Sequence, residues 1–249
     1  VSTARYVEHV MGMPISLALR GRHTDDDAAH EAWAAVMNRL RAVDLVFSTY
    51  RDDSYITRLG RGEIGLDECP PEVPEVLALG EQARRDSTGA FDVWRDGLDP
   101  SGVVKGWAAD RAADHLRALP DTDFCLSAGG DLVCRTLDPY GRPWRIGVEH
   151  PHDPDRIIAV VPVTTGAVAT SGTAHRGEHI VDARTGRAPA AVASVTVVGE
   201  SLTWADIDAT AAYAHGPDAA EWLRTRVGRS GLVVWEDGSS TVVDGYRLP

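Results

Sequence analysis

Asp99-Pro-Ser-Gly-Val-Val-Lys-Gly-Trp-Ala-Ala-Asp-Arg-Ala-Ala-Asp-His-Leu-Arg-Ala-Leu119 runs a turn, a glycine-spaced loop and a lysine into a helix. The helix is predicted from about Lys105 to Leu119, with Ala109, Ala112, Ala113 and Leu116 as its buried stripe. Alanines on that stripe imply close packing against another element. After Pro120 the periodicity changes from helical to alternating, and strands are predicted at 123–127, 132–136, 143–149, 157–163 and 193–198. Two helices follow, near 203–215 and 217–227, and then a hairpin, Leu232–Trp235 and Thr241–Val243, around Asp237-Gly238. Upstream, residues 4–10 and 14–20 read as strands. Thr24 followed by Asp25, Asp26 and Asp27 reads as a capped helix start. That helix reaches about Asp44, with Ala29, Trp33, Val36, Met37 and Leu40 inward, and another covers 73–86. Helices lie among strands without regular βαβ alternation, which favours α+β over a doubly wound sheet, in one domain over residues 1–249.

Composition narrows the function classes. The 249 residues suffice for a full hydrophobic core, and 43% apolar with 25% charged residues is ordinary for a globular chain. A net charge of -12 with no basic run excludes nucleic acid as a partner and gives no attraction to anionic membranes. No apolar run approaches the roughly 20 residues of a membrane span, and Val1–Gly12 does not read as a signal peptide. The expectation is a cytoplasmic protein as the chain stands, or an extracytoplasmic one where an N-terminal segment has been removed. Cys69, Cys125 and Cys134 have no CxxC spacing. Cys125 and Cys134 sit in apolar runs as buried thiols, with no disulfide framework and no cysteine zinc site.

A loop entering a helix presents unpaired N–H groups and partial positive charge, the physics of a phosphate or carboxylate site. Asp-Pro-Ser-Gly is equally good turn chemistry on its own. Asp110-Arg111 reads as a surface or helix-packing pair. Ala128-Gly-Gly-Asp131 is a tight turn that either serves a hairpin or brings backbone close to a ligand. Thr203-Trp-Ala-Asp206 fits a capping box, while Asp206 and Thr210, four residues apart, could share one hard cation such as Mg²⁺. Asp208 points elsewhere and reads as solvated. His175 and His179 have zinc-ligand spacing only on a helix, which Gly172 and Gly177 oppose. His150-Pro-His152 reads as a surface loop. His179 is a candidate for proton transfer or a structural histidine in a turn.

These pieces, in this order, resemble the FAD:protein FMN transferase (ApbE) family. The resemblance rests on Met11-Gly12, Phe47-Ser-Thr-Tyr50-Arg51, Ser87-Thr-Gly-Ala-Phe-Asp92, the Asp99–Ala112 stretch and Ala128–Asp131. Ala169-Thr-Ser-Gly-Thr173, His179-Ile-Val-Asp182 with Thr185-Gly186, and Ala205-Asp206 with Thr210 complete it. Met13 stands where the family has threonine, and Ser127 where many members have asparagine. The resemblance implies an α+β, ApbE-like (T-fold-like) fold of mixed β-sheets with packed helices and a ligand cleft between sheet loops and helix starts. It implies Mg²⁺-dependent transfer of FMN from FAD to a threonine or serine hydroxyl of an acceptor flavoprotein, releasing AMP. FAD contacts would come from Met11, Tyr50, Ala90, Phe91, Asp92, Asp99, Lys105 and Val181. The metal would take Asp206, Thr210 and the Gly102 carbonyl, and His179 would be the base, so that His179 and Asp206 carry the catalysis. A Mg²⁺-dependent FAD pyrophosphatase and a non-catalytic flavin-binding protein are the alternatives.

Overall fold

A computed structural model of the chain describes residues 3–138, 141–173 and 180–245. The elements in chain order are β1 (Ala4–Val10), β2 (Met13–Gly21), α1 (Asp27–Phe47), α2 (Tyr55–Gly60), α3 (Glu72–Asp86), α4 (Ser101–Ala112) and α5 (Asp114–Arg117). Then follow β3 (Thr122–Ala128), β4 (Asp131–Arg135), β5 (Trp144–His150), β6 (Asp153–Val163), β7 (Thr165–Gly172) and β8 (Val192–Gly199). The chain continues with α6 (Leu202–Ala214), α7 (Ala219–Arg224), β9 (Ser230–Trp235) and β10 (Ser240–Val243). The fold is α+β, as the irregular alternation of elements predicts.

Eight strands form one antiparallel sheet in the order β1-β2-β3-β4-β7-β8-β9-β10. Among the described residues, strands β5 and β6 pair only with each other, as a hairpin inserted between β4 and β7. One face of the large sheet receives the helices. Met13, Ile15, Leu17 and Leu19 of β2 alternate inward to meet them. Its other face carries a smaller apolar cluster, Cys125, Cys134 and Val168, covered by Ile146 and Val163 of the β5–β6 hairpin. A sheet buried on both faces explains why residues 192–197 of β8 are all buried, Ser194 and Thr196 included, instead of alternating.

Helices α4 and α6 lie at the centre and pack on each other. On α6, eleven of thirteen residues are buried, including both aspartates, which is the pattern of a helix enclosed all round. Alanines dominate this contact because two helix backbones approach closely there. The predicted helix 105–119 begins four residues earlier than expected and divides at Ala113. Pro100 occupies the cap position, and the Ser101 N–H donates to the Asp99 carboxylate at 2.9 Å, so the turn chemistry is itself the helix start. The cap of α1 is Asp26, whose carboxylate accepts the Ala29 N–H at 3.0 Å, not Thr24. Asp208 is buried and not solvated: Arg226 and Arg229 donate to it at 3.0 and 2.9 Å.

His215 closes α6 and stacks on Trp222 with ring centroids 5.1 Å apart. Its Nε2 is buried with no hydrogen-bond partner among the described residues. Burial, and then the Arg184 guanidinium, hold its pKa below the ordinary imidazole value of 6.5. A histidine depressed by folding contributes stability above its unfolded pKa, and that contribution is lost as pH falls through the folded value. Between about pH 7.5 and about pH 5.5, wild-type protein should therefore lose more unfolding free energy than His215→Phe, which keeps the stack and cannot charge. Urea titrations of both proteins at the two pH values check this.

Candidate active site

A cavity of about 480 Å³ opens between the start of α4, the turn after β3, the ends of β5 and β7, and the loop after α3. Three conformational facts build its walls. The start of α4 brings Asp99, Ser101 and Gly102 to the cavity, with the partial positive charge of a helix N-terminus. Gly129 and Gly130, at φ 59° and 100°, form a two-residue turn that delivers Asp131 beside α4. The Ala183 N–H donates to the Ala90 carbonyl at 3.0 Å, which ties the segment after β7 to the loop after α3.

At the cavity floor lies a buried ionic cluster. The Lys105 ammonium donates to Asp131 Oδ2 and, at 3.0 Å, to Asp206 Oδ1. Asp131 Oδ1 accepts the Thr170 N–H at 2.9 Å, and Asp206 Oδ2 accepts the Gly106 N–H at 3.0 Å. Thr210, one turn beyond Asp206, shares a 3.1 Å hydrogen bond with Ser171. Burial works against the charge on Lys105, but the two carboxylates outweigh it and raise its pKa above the ordinary lysine value. Burial pushes the Asp206 carboxyl up to about 6, against the pull of Lys105 and with the repulsion of Asp131. Two carboxylates on one ammonium leave the floor with a net negative charge at neutral pH.

The Gly106 N–H is the donor that helical geometry directs at the Gly102 carbonyl. It also donates to the Asp206 carboxylate of α6, which draws the two helices together. This close crossing requires glycine. A Cβ on residue 106 would stand 2.6 Å from the Leu202 carbonyl oxygen and 2.8 Å from Asp206 Cβ. Gly106→Ala should cost about 2–3 kcal/mol in urea unfolding and weaken binding at the cavity floor, since α4 and α6 must separate.

Ala90, Phe91, Asp92, Asp99, Gly102, Lys105, Val181, Asp206 and Thr210 all line this one cavity, so the structure brings together nine of the residues singled out in the sequence. Met11 and Tyr50 do not line it. Met11 sits in the β1–β2 turn at φ 56°, and the Tyr50 side chain stands in solvent at 99% exposure. His175 and His179 lie outside the described residues. Asp206 takes no part in a capping box. Instead Asp110 Oδ2 accepts from Ser201 Oγ at 2.7 Å and from the N–H groups of Leu202 and Thr203 at 3.0 and 3.4 Å. Asp110 is therefore the cap of α6, supplied from α4, and not a surface partner of Arg111.

Two participants escape a reading of the sequence alone. Asp131 was legible as part of a turn that serves a hairpin or approaches a ligand; its pairing with Lys105 depends on packing. His150 faces the cavity from the end of β5, its Nδ1 accepting the His152 N–H at 3.1 Å, and is not a surface-loop residue. No local signal could have placed it there, because the β5–β6 hairpin reaches the cavity by folding back over the sheet.

No group of three or more His, Cys, Asp or Glu side chains is placed to hold a metal ion among the described residues. No helix among them is long and apolar enough to cross a membrane.

Comparison with known proteins places this geometry. Over 153 residues the chain is 29% identical to an FAD:protein FMN transferase of Escherichia coli K12, covering 57% of this chain and 44% of that protein. Identity to the Vibrio cholerae FAD:protein FMN transferase is 31% over 172 residues, covering 60% and 52%. A Rhodobacter capsulatus protein of the same name is 32% identical over 199 residues, covering 76% of this chain and 35% of that one. The matched regions thus span about half the length of the first two relatives, or less. Among solved structures, the ApbE protein of Thermotoga maritima superposes with a TM-score of 0.85 at 21% identity, covering 98% of this chain and 97% of that one. The Vibrio cholerae flavin transferase ApbE gives 0.81 at 21% identity, covering 97% of each chain. The ApbE family pattern matches residues 11–96 and 94–232, which takes in all nine cavity-lining positions, and the chain belongs to the ApbE family.

Proposed function

We propose that the protein transfers the FMN part of FAD to a threonine or serine hydroxyl of an acceptor flavoprotein and releases AMP, with Mg²⁺ bound at the cavity floor. The observation that supports this reading is that Gly102, Asp206 and Thr210 line one cavity beside a helix start; the donors assigned to the cation are the Asp206 carboxylate, the Thr210 hydroxyl and the Gly102 carbonyl. The donor set is all oxygen and includes one carboxylate. That suits a hard cation which takes its remaining ligands from water and substrate phosphate. The net negative charge of the Lys105–Asp131–Asp206 cluster attracts a cation. Bound there, Mg²⁺ would supply charge neutralisation for the pyrophosphate and its leaving group.

The chain's own residues do the rest. Lys105, locked between two carboxylates, fixes the position of the Asp206 oxygens. The start of α4 directs partial positive charge at an anionic substrate. Phe91, whose ring lies within 2.9 Å of where a Gly102 side chain would project, forms the apolar wall against which a flavin or adenine ring would rest. His179 is assigned the proton of the acceptor hydroxyl, a role that suits an imidazole titrating near neutrality. Attack on phosphorus needs positioning and charge stabilisation more than covalent participation by the protein, which matches this inventory.

The test is incubation with FAD, Mg²⁺ and a flavoprotein acceptor, followed by intact-mass measurement of the acceptor and chromatography of the nucleotides. An FMN-sized mass gain with matching AMP, both lost on chelation, is expected. AMP release at the same rate without acceptor, and no mass gain on any cognate acceptor, would overturn the reading in favour of simple FAD hydrolysis.

A further inference from the structure

Cys125 and Cys134 face each other across β3 and β4, outside the cavity, and the proposed chemistry does not use them. We propose that they form an oxidisable dithiol, which a small peroxide converts into a cross-strand disulfide.

The geometry follows from the turn. A two-residue turn with positive φ at both Gly129 and Gly130 closes on the hydrogen-bonded pair Ala128–Asp131. Pair types alternate along an antiparallel ladder. Ser127–Leu132 is therefore non-hydrogen-bonded, Leu126–Val133 hydrogen-bonded, and Cys125–Cys134 non-hydrogen-bonded. Non-hydrogen-bonded partners hold their Cα atoms about 4.5 Å apart, within the roughly 4.4–6.8 Å that a disulfide spans. The two Sγ atoms already lie 3.1 Å apart. A covalent bond needs a closing movement of about 1 Å and no change of register.

The surroundings select the oxidant. Cys125 and Cys134 are 8% and 2% exposed, beneath Ile146, Val163 and the partly buried Trp144. Bulky disulfides cannot stack a mixed-disulfide intermediate into that space, whereas hydrogen peroxide is little larger than water. Cys125, the more accessible, gives up its proton and attacks a peroxide oxygen. An S–O bond forms, the O–O bond breaks, and sulfenic acid and water result. The Cys134 sulfur then attacks the Cys125 sulfur and expels hydroxide, which leaves as a second water with the Cys134 proton. Two thiols and one peroxide thus give one disulfide and two waters, with two electrons passing from sulfur to oxygen. The bridge would tie the hairpin that presents Asp131 to Lys105.

The experiment treats the folded protein with hydrogen peroxide, quenches it, and denatures it in N-ethylmaleimide before intact-mass and peptide mapping. The expected product has lost two hydrogens, carries one maleimide, on Cys69, and yields a peptide linking Cys125 to Cys134. Its melting temperature should rise by several degrees and return with dithiothreitol, and Cys134→Ser should show neither change. Maleimide on all three cysteines would overturn the proposal. So would sulfinic or sulfonic acid at Cys125 without a linked peptide. Both readouts come from wild-type protein, so they stand even where the serine variant fails to fold.

Discussion

Asp206→Asn is expected to lower Mg²⁺-dependent turnover of FAD by about 10²–10³-fold, the scale of removing one preorganised electrostatic contact. The substitution is nearly isosteric. Its amide oxygen can still accept the Gly106 N–H, so α4 and α6 stay clasped. What it loses is the anionic oxygen that now faces Lys105 at 3.0 Å and would face a cation. Loss of binding alone would raise KM, whereas loss of a contact to the developing charge lowers kcat. Steady-state AMP release, measured beside urea unfolding of the same preparation, separates a chemical defect from a folding one. Unchanged turnover would reduce Asp206 to a clasp between two helices.

Lys105→Met should have the largest effect on stability, about 3–5 kcal/mol at pH 8, because it leaves Asp131 and Asp206 buried without their shared cation. The size of the loss should depend on pH. In the variant, burial and repulsion from Asp131 hold the Asp206 carboxyl pKa above its unfolded value, with no lysine to pull it back. Groups raised in this way contribute stability at low pH that is lost as pH increases through the folded pKa. The gap between variant and wild type should thus narrow from pH 8 towards pH 5, in which range the wild-type lysine stays charged. Adding Asp131→Asn to Lys105→Met should recover part of the loss at pH 8. Urea midpoints across a pH series, completed as a double-mutant cycle, give the coupling. A pH-independent gap would mean that the lysine acts only through packing.

The elements that sequence periodicity reveals are those with large apolar side chains on one face. The stripe of α1, with Ala29, Trp33, Val36, Met37 and Leu40 all buried, is the clearest. Strand β7 was not legible. Its sequence, Thr-Gly-Ala-Val-Ala-Thr-Ser-Gly, has small residues on both faces because the sheet is covered on both sides there. The nine cavity residues were legible as a set only through the ordered resemblance to a family, since they come from four separate segments. The partners of Asp110 and Asp131 were not legible. Each is a carboxylate whose partners at the site and at the α6 start lie 26 to 93 residues away, and local spacing carries no trace of them. Arg226 and Arg229, which hold Asp208 inside, were hidden for the same reason.

Each of α4 and α6 gives a carboxylate to backbone N–H groups of the other. Asp110 of α4 accepts the first N–H groups of α6, and Asp206 of α6 accepts an N–H of α4. The first N–H groups of α6 find their acceptor on α4, and Asp206 of α6 ties back to α4, so the two helices should open and close as one unit. In native-state hydrogen exchange the amides of Gly106 and Leu202, almost a hundred residues apart, should report a single opening free energy and respond together to denaturant. The cavity floor would then exist only when both helices are docked. A polypeptide emerging during synthesis could bind no substrate until the Ser201–Ala214 segment had been made.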